Sequence, residues 1–197
     1  MRDFTSPELA YLQNRTGYRT HILLYVLPRD RGTNARVPLG FWTGEEDRTF
    51  TIGGQARIYL GGGAIGEIDP IMMQPGLNVR AQRLTMSPLH AGVVQFLRAN
   101  DPFRAPAELH RALFDPLNDA LIAEPRRLWK GLVHGATIQT PPIGGEARAE
   151  VTLTSAADTL KVGMTTTRSD AAQSQRGGDR FFRHKDVDGT ARYTWGG

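Results

Sequence analysis

Two segments around a proline- and glycine-containing turn constrain the fold of this chain more than any other feature. In residues 146–154 every second residue is apolar, from Ala147 to Leu153. A period of two places these side chains on one face of a β-strand. Residues 127–140 come before them, separated by the turn residues 141–145. We therefore predict an antiparallel hairpin in which 127–140 pairs with 146–154 and buries one face.

Turn residues divide most of the chain into short segments that suit strands. The 22 glycines and 12 prolines among 197 residues supply those turns, and 40% apolar residues suffice for a core. Residues 18–27 are apolar on both faces, which predicts a central strand buried on both sides. Further strands are predicted at 36–43, 48–52, 55–60 and 77–84.

The turns between these strands predict how they pair. Residues 36–43 and 48–52 flank the acidic turn 44–47 and are expected to form a hairpin. The glycines at 53–54 then turn the chain into the strand at 55–60. Short strands at this spacing are typical of a β-barrel or sandwich. We therefore predict a mainly β fold of the α+β type, with one or two short helices.

Two segments carry helix signals, and a third is ambiguous. Ser6 is placed to cap a helix whose first turn contains Pro7 and which is expected to end near residue 15. A second helix is predicted from Ser87 to about residue 101, with apolar residues at helical spacing. Those residues are Leu89, Val93, Phe96 and Leu97. Residues 106–114 have helical propensity, yet their apolar residues alternate as in a strand.

The composition changes near residue 164. Six Arg or Lys residues lie between 168 and 192, with few aliphatic residues among them. Such a segment cannot bury a core alone, so we predict a β-domain at 1–163 and an extended Arg- and aromatic-rich arm at 164–197. Arg and aromatic residues are enriched as anchors of protein interfaces. The predicted interface residues are Arg168, Asp170, Arg176, Asp179, Arg180, Phe181, Phe182, Tyr193 and Trp195.

Composition also excludes several classes of chemistry. There is no cysteine, so disulfides, thiolate metal sites and cysteine nucleophiles are ruled out. The longest apolar run, residues 22–27, is far shorter than the roughly 20 residues of a membrane-spanning helix, so no membrane span is expected. The net charge of +4 is compatible with a nearby polyanion but does not require one. A basic nucleic-acid-binding module remains an alternative function.

No motif in the sequence predicts catalytic, metal-binding or cofactor-binding residues. The glycine-rich run at 61–66 matches a dinucleotide-binding pattern, but acidic residues and Pro70 follow where that pattern needs a helix, so a bend is expected. The segment Asp186–Gly189 lacks the remaining ligands of a calcium loop. An enzyme would require, for example, His134 or His184 beside a buried carboxylate and a nucleophile. We predict none of these and expect the protein not to be an enzyme.

Four further patterns resemble a known family. Residues 107–116 and 128–135 follow its Ala-x-Leu-x-x-Ala-x-Phe-Asp-Pro segment and its glycine-centred strand, and 168–182 follows its Arg-Ser-Asp-Ala-x-Gln…Gly-Asp-x-Phe-Phe ending. The family's hairpin pattern Gly-Phe-Thr-x-x-Asp-Arg-x-Phe/Leu and the glycine-containing turn after it correspond here, in the same order but with wider spacing, to Gly40, Phe41, Thr43, Asp47, Arg48, Phe50, Gly53 and Gly54. The chain thus resembles the N-terminal domain of the baseplate hub proteins of long-tailed phages and gene transfer agents.

This resemblance implies a tail-tube-like β-barrel that assembles as a ring, with a strand at 106–114. It implies a structural role at the virion tail tip, assembled in the host cytoplasm as a homo-oligomer, with a trimer expected. The implied partners are the distal tail protein, a second hub or tail-tip fibre protein, the tape measure protein and, transiently, DNA in the lumen. Larger members carry clustered cysteines for an iron–sulfur centre, which this chain lacks. The chain is therefore expected to be either the hub or another ring of the tip, such as the distal tail protein.

Overall fold

The fold is mainly β, as the sequence predicts. The computed structural model describes residues 5–14, 17–71, 79–143, 145–161, 170–175, 177–181 and 183. The helices are α1 (Ser6–Gln13), α2 (Ala91–Val94) and α3 (Asp170–Ser174). The strands are β1 (Arg19–Val26), β2 (Arg29–Asp30), β3 (Leu39–Trp42), β4 (Arg48–Ile52), β5 (Gln55–Tyr59), β6 (Ile65–Ile68), β7 (Ala81–Met86), β8 (Asn100–Asp101), β9 (Pro106–Phe114), β10 (Arg126–Gln139) and β11 (Arg148–Ser155).

Seven strands form one curled antiparallel sheet in the order β3-β1-β9-β10-β11-β7-β6. The two edge strands are joined through a short stretch of chain. Leu60 exchanges backbone hydrogen bonds of 2.9 Å with Gly40 and Trp42 of β3, and five residues later Ile65 pairs with Met86 of β7. Five residues span at most about 17 Å, so the sheet curls into a half-barrel.

The inner face of the half-barrel holds the larger hydrophobic cluster. It includes Leu24, Phe41, Leu109, Val133 and Val151, all fully buried. Val93 and Phe96 belong to α2 and to the π-helical turn Gln95–Ala99 that follows it, and they fill the concave side. Burying large apolar side chains of this kind contributes about 1.5 to 3 kcal/mol each. The sheet is therefore held curled by a short helical segment inside it.

The outer face carries a second layer, the hairpin of β4 and β5. Phe50, Ile52 and Tyr59 from this hairpin pack on Leu23 of β1 and Phe114 of β9. As a result β1 has Leu24 on the inner core and Leu23 on the outer one. The prediction of a central strand buried on both sides is confirmed.

The long hairpin predicted from alternation is also confirmed. The C-terminal part of β10 pairs with the whole of β11, from Gly131 opposite Ser155 to Gln139 opposite Arg148. Ala149, Val151 and Leu153 are fully buried, as a period of two requires.

The predicted hairpin of residues 36–43 with 48–52 is wrong. β3 pairs with β1 of the main sheet, and β4 pairs with β5. Gly53 and Gly54 have φ angles of 59° and 76°, which suits the tight two-residue turn between β4 and β5. All four residues of β3 are buried, and only the sheet offers cover on both faces. The tight turn and the two-sided burial therefore decide the pairing.

The helix predictions need two corrections. Thr5 precedes α1 in extended conformation, and its N–H and hydroxyl both donate to the Glu8 carboxylate at 3.0 Å, so Thr5 rather than Ser6 is the N-cap. Leu89 is 87% exposed and precedes α2, which begins after His90. The other three apolar residues predicted for this helix, Val93, Phe96 and Leu97, are buried. Residues 106–114, ambiguous by pattern, form β9.

The chain divides into two compact units, residues 1–159 and 160–197. The first contains the curled sheet and both hydrophobic clusters. In the second, α3 is followed by Gly177 and Gly178 at positive φ, and the Gly178 N–H donates to the Ser174 carbonyl at 2.9 Å. Within the part of the chain that the structure describes, no helix is long and apolar enough to cross a membrane.

Candidate functional site

The arm residues that the structure describes interact with one another. Arg180 donates to the Asp170 carboxylate at 2.6 Å, and Asp179 accepts from Gln173 at 2.6 Å. The Asp170 charge raises the pKa of the Arg180 guanidinium, while Phe181 is 78% exposed. This short segment is thus locally organised and presents an aromatic ring to solvent. The other predicted interface residues, Arg168, Arg176, Phe182, Tyr193 and Trp195, lie outside the described residues.

The residues of the hairpin motif build one structural module in which the hairpin docks on the sheet. The Thr43 hydroxyl contacts the His21 ring at 3.1 Å and accepts from the Ile22 N–H at 3.2 Å. The Asp47 carboxylate accepts from the Gly61 N–H at 3.0 Å. Arg48 lies over the Phe114 ring, with its guanidinium carbon 4.8 Å from the centroid. Each of these contacts joins the motif to another strand or loop.

Gly40 is the tightest point of this module. A Cβ at Gly40 would collide with the Ile58 carbonyl oxygen and the Tyr59 ring. We expect Gly40→Ala to destabilise the protein by about 1 to 3 kcal/mol, because the chain at the end of β5 cannot move away without breaking the backbone hydrogen bonds of Leu60 to Gly40 and Trp42. Urea unfolding followed by circular dichroism measures this.

Gly135→Ala is the matched control for that substitution. Gly135 lies in β10, and no neighbouring atom is within 4 Å of a Cβ built there. Alanine should therefore change stability by less than about 1 kcal/mol, in the stabilising direction. Equal effects of the two substitutions would contradict the proposed close packing at Gly40.

The glycine-rich run at 61–66 forms a bend that leads into a strand. Gly62 and Gly63 have φ angles of 61° and 75°, and the Gly62 N–H donates to the Glu45 carbonyl at 2.7 Å. The chain continues into β6 rather than into a helix, so no helix N-terminus faces these glycines. The bend anchors the exposed acidic turn 44–47 to the edge of the sheet.

A cavity of about 730 Å³ lies beside this turn and is lined in part by His21. Burial is the main cause that lowers the pKa of His21. Its ring contacts the Thr43 hydroxyl, whereas Asp119, which also lines the cavity, pairs with Arg19 at 3.2 Å and with Arg48 at 3.6 Å. No carboxylate bonds to the His21 ring among the described residues. Among the residues that the structure describes, His21 is therefore not oriented by a carboxylate as the histidine of a Ser-His-Asp triad is.

The densest charged cluster centres on Glu108, which sequence reasoning did not single out. Its carboxylate lies 3.1 Å from an Arg57 guanidinium nitrogen, 3.5 Å from one of Arg127 and 3.5 Å from Lys130 Nζ. Both Glu108 and Arg57 are only 17% exposed. Arg57 also lies over the Tyr25 ring, with its guanidinium carbon 4.3 Å from the centroid. The cluster joins the outer hairpin to β9 and β10 of the sheet.

Burial and these ion pairs shift the pKa values of four side chains in or beside the cluster. Burial raises the pKa of Glu108, but the Arg57 hydrogen bond and the surrounding positive charges outweigh it and lower the pKa overall. Burial lowers the pKa of His110 to about 4 and raises the pKa of Tyr59 to about 12. The pKa of Arg57 is raised by Glu108 and Tyr59 against the effect of its own burial. At neutral pH the cluster therefore holds an ionised carboxylate, a neutral imidazole and a neutral phenol.

Shifted titrations are also a mark of active sites, but here the charges pair with one another across the layers of the fold. The His110 Nε2 is 3.8 Å from the Glu108 carboxylate, beyond hydrogen-bond distance. The single Glu108 carboxylate is shared by Arg57, Arg127 and Lys130, so the charges left over are cations. This arrangement suits a clamp between the hairpin and the sheet better than it suits proton transfer.

The histidines singled out from the sequence do not form such a site either. His134 Nδ1 is 4.0 Å from the Asp158 carboxylate, and the His134 side chain is 60% exposed. His184 and the segment 186–189 lie outside the described residues. Among the described residues, no three His, Asp or Glu side chains are grouped so that they could hold a metal ion.

Comparison with known proteins finds no family model and no curated protein that matches this chain.

Proposed function

We propose that this protein is a structural, non-enzymatic subunit of a phage-like tail tip, a baseplate hub ring around the channel through which DNA passes. Three copies form the ring, which connects the tail tube to the tail-tip or fibre proteins. The distal tail protein, a second hub or fibre protein and the tape measure protein are its neighbours. The protein is assembled into the virion in the host cytoplasm. The alternative within this class is the distal tail protein or another ring of the tip.

The module built by the hairpin motif carries this proposal. Gly40, Thr43 and Asp47 each have a packing or hydrogen-bonding role that docks the hairpin on the sheet. A motif whose residues have packing roles argues for a shared fold rather than a shared active site. A fold by itself implies no reaction. The proposal therefore rests on the resemblance of this motif, whose residues tie the loop before β4 to β1 and to the chain after β5.

The half-barrel suits a subunit of a ring. Its inner face is filled by α2 and the π-helical turn, and the outer hairpin stiffens the opposite face through the Glu108 cluster. A ring that carries force along a tail needs subunits that keep their shape while they contact identical neighbours. Two packed layers around one curled sheet supply that rigidity.

The oligomeric state tests the proposal directly. Light scattering on the purified protein, alone and mixed with its neighbouring tail proteins, is expected to show three times the chain mass of 21.7 kDa in at least one sample. Immunogold labelling of intact particles should locate the protein at the tail tip. A monomer in both samples, or labelling away from the tip, would contradict the ring.

Deleting residues 164–197 is expected to leave the β-domain folded and to abolish incorporation into tails. Both hydrophobic clusters lie within residues 1–159, so the core keeps its contacts. Truncating an aromatic or arginine anchor of an interface costs roughly 2 kcal/mol or more, which suffices to decide assembly. Circular dichroism checks the fold, and the amount of tagged protein in purified tails checks incorporation. An unfolded β-domain or normal incorporation would show that the arm is not the assembly segment.

DNA binding is expected to be weak and independent of sequence. A net charge of +4 neutralises few phosphates, and several cations are already paired with Glu108. Since phosphate contacts lose affinity steeply with salt, binding should vanish by physiological ionic strength. Fluorescence anisotropy with a labelled duplex, titrated at increasing salt, measures this. Tight binding at physiological salt would favour the nucleic-acid-binding alternative.

A further inference from the structure

The second half of β10 is an open edge inside the main sheet. β9 pairs with β10 only as far as Leu132, and the Val133 backbone bonds to Arg104 and Ala105 at 2.8 and 2.9 Å. Beyond that point β11 continues along one side of β10 up to Gln139. On the other side, no strand or backbone hydrogen bond among the described residues reaches positions 134–139. A row of backbone donors and acceptors is thus available for pairing.

Beyond the register shift between Val133 and Gly135, this edge lacks the features that usually block pairing. Residues 135–140 contain no charge and no proline, and Ala136, Thr137 and Gln139 are exposed. The two edge strands of the main sheet are protected: Leu60 covers β3, while β6 has four residues, an irregular register and the charged Glu67. Proteins commonly protect edges with charges, bulges or short strands. Of these three edges of the main sheet, within the described part of the chain, the second half of β10 is the one that lacks this protection.

We propose that the open edge of β10 pairs with the same edge of a second copy of this chain, antiparallel and about a twofold axis. Full overlap of residues 134–140 places Thr137 opposite Thr137 of the copy. It also places Ala136 opposite Ile138, Gly135 opposite Gln139 and His134 opposite Thr140. Threonine pairs across antiparallel strands are favourable. No like charges face each other in this register, so the segment is complementary to itself.

In this register, apolar residues of the two copies meet on the inner face of the sheet and polar residues meet on the outer face. Ala136 and Ile138 pair with Val151 and Ala149 of β11, which are fully buried in the inner core. Across the twofold axis, Ile138 of the copy would cover the exposed Ala136 and extend the apolar inner face. Thr137 lies on the outer face with Glu150, where a substituted side chain has room. The contact is independent of the proposed ring, which needs a head-to-tail interface.

A single engineered cysteine tests the register, because the chain has none of its own. Residues opposite each other in antiparallel strands have Cα atoms about 4.5 to 5.5 Å apart, within the range that a disulfide bridges. Thr137→Cys should therefore form a disulfide-linked dimer under mild oxidation. Thr152→Cys is the matched control: it lies on the same outer face, one strand further from the axis. The Cα atoms of residue 152 in the two copies would be about 14 Å apart or more. At least tenfold less disulfide-linked dimer is therefore expected for Thr152→Cys than for Thr137→Cys.

Light scattering provides the second test. The unmodified chain should show a concentration-dependent species of twice 21.7 kDa. Thr137→Lys should abolish it by placing two like charges opposite each other, whereas Thr152→Lys should not. A chain that stays monomeric up to its solubility limit, or equal cross-linking at positions 137 and 152, overturns this inference. A trimer whose mass is unchanged by Thr137→Lys also overturns it, while the proposed ring stands.

Discussion

Lowering the pH from 6.5 to about 4 is expected to destabilise the folded protein by about 3 kcal/mol through His110 alone. The His110 side chain is 2% exposed, and burial lowers its pKa from 6.5 to about 4. Glu108 opposes this shift, while Arg57 and Arg127 add to it. Between the two pKa values the unfolded chain binds a proton that the folded chain does not. Stability therefore rises with pH across this window and is fully present above 6.5.

His110→Leu isolates this effect. The imidazole Nδ1 is buried without a hydrogen-bond partner among the described residues, so leucine removes an unsatisfied group and creates none. At pH 7 the variant should be as stable as the original or more so, and its stability should fall less between pH 6.5 and 4. Urea unfolding at a series of pH values measures both. His134→Leu, at an exposed histidine, should follow the unmodified protein. Parallel pH profiles for His110→Leu and the unmodified protein would contradict the role of His110.

Glu108→Ala is expected to destabilise the protein by about 3 kcal/mol. The substitution leaves the half-buried Arg57 guanidinium without the carboxylate that it contacts at 3.1 Å. It also brings Arg57, Arg127 and Lys130 together with no shared anion between them. Since Arg57 belongs to β5 and Glu108 to β9, the loss should loosen the outer hairpin first. Urea unfolding at pH 7 measures the change in the free energy of unfolding.

Glu150→Ala is the matched control for Glu108→Ala. Glu150 pairs with Arg83 at 3.7 Å, with both side chains well exposed, and such a pair contributes at most about 1 kcal/mol. The double variant Arg57→Ala with Glu108→Ala should be less destabilised than the sum of the two single variants, because the second substitution removes the stranded cation. Equal losses for Glu108→Ala and Glu150→Ala would show that the Glu108 cluster does not clamp the hairpin.

Local patterns in the sequence predicted the elements whose stability depends on near neighbours. The alternation of Ala149, Val151 and Leu153 predicted one buried face of β11, and a short turn made β10 its partner. The apolar residues of β1 on both faces predicted burial on both sides. In each case the spacing of the apolar side chains along the strand predicts which face is buried, independently of the other strands with which it pairs.

Pairing between distant segments could not be predicted in the same way. β3 and β4 are adjacent in the chain but belong to different sheets, because β3 is buried on both faces while the turn at Gly53–Gly54 joins β4 to β5. The helical propensity of 106–114 is overridden by two neighbouring strands, β1 and β10. Propensities are small per residue compared with the hydrogen bonds and packing of a central strand.

The Glu108 cluster also shows the difference between what local sequence patterns predict and what contacts between distant segments decide. Glu108 and His110 are two residues apart in a segment of alternating apolar residues, so both lie on the same face of β9. Two polar residues on a face that the outer hairpin covers are a local signal of a buried polar cluster. Arg57 and Arg127 come from segments far away in the chain. The sequence alone determined strands such as β1 and β11, the turn glycines and the absence of thiol chemistry, since these follow from residue type and spacing. Only the tertiary structure decided which charges meet and which edge stays open, because both depend on contacts between residues that lie far apart in sequence.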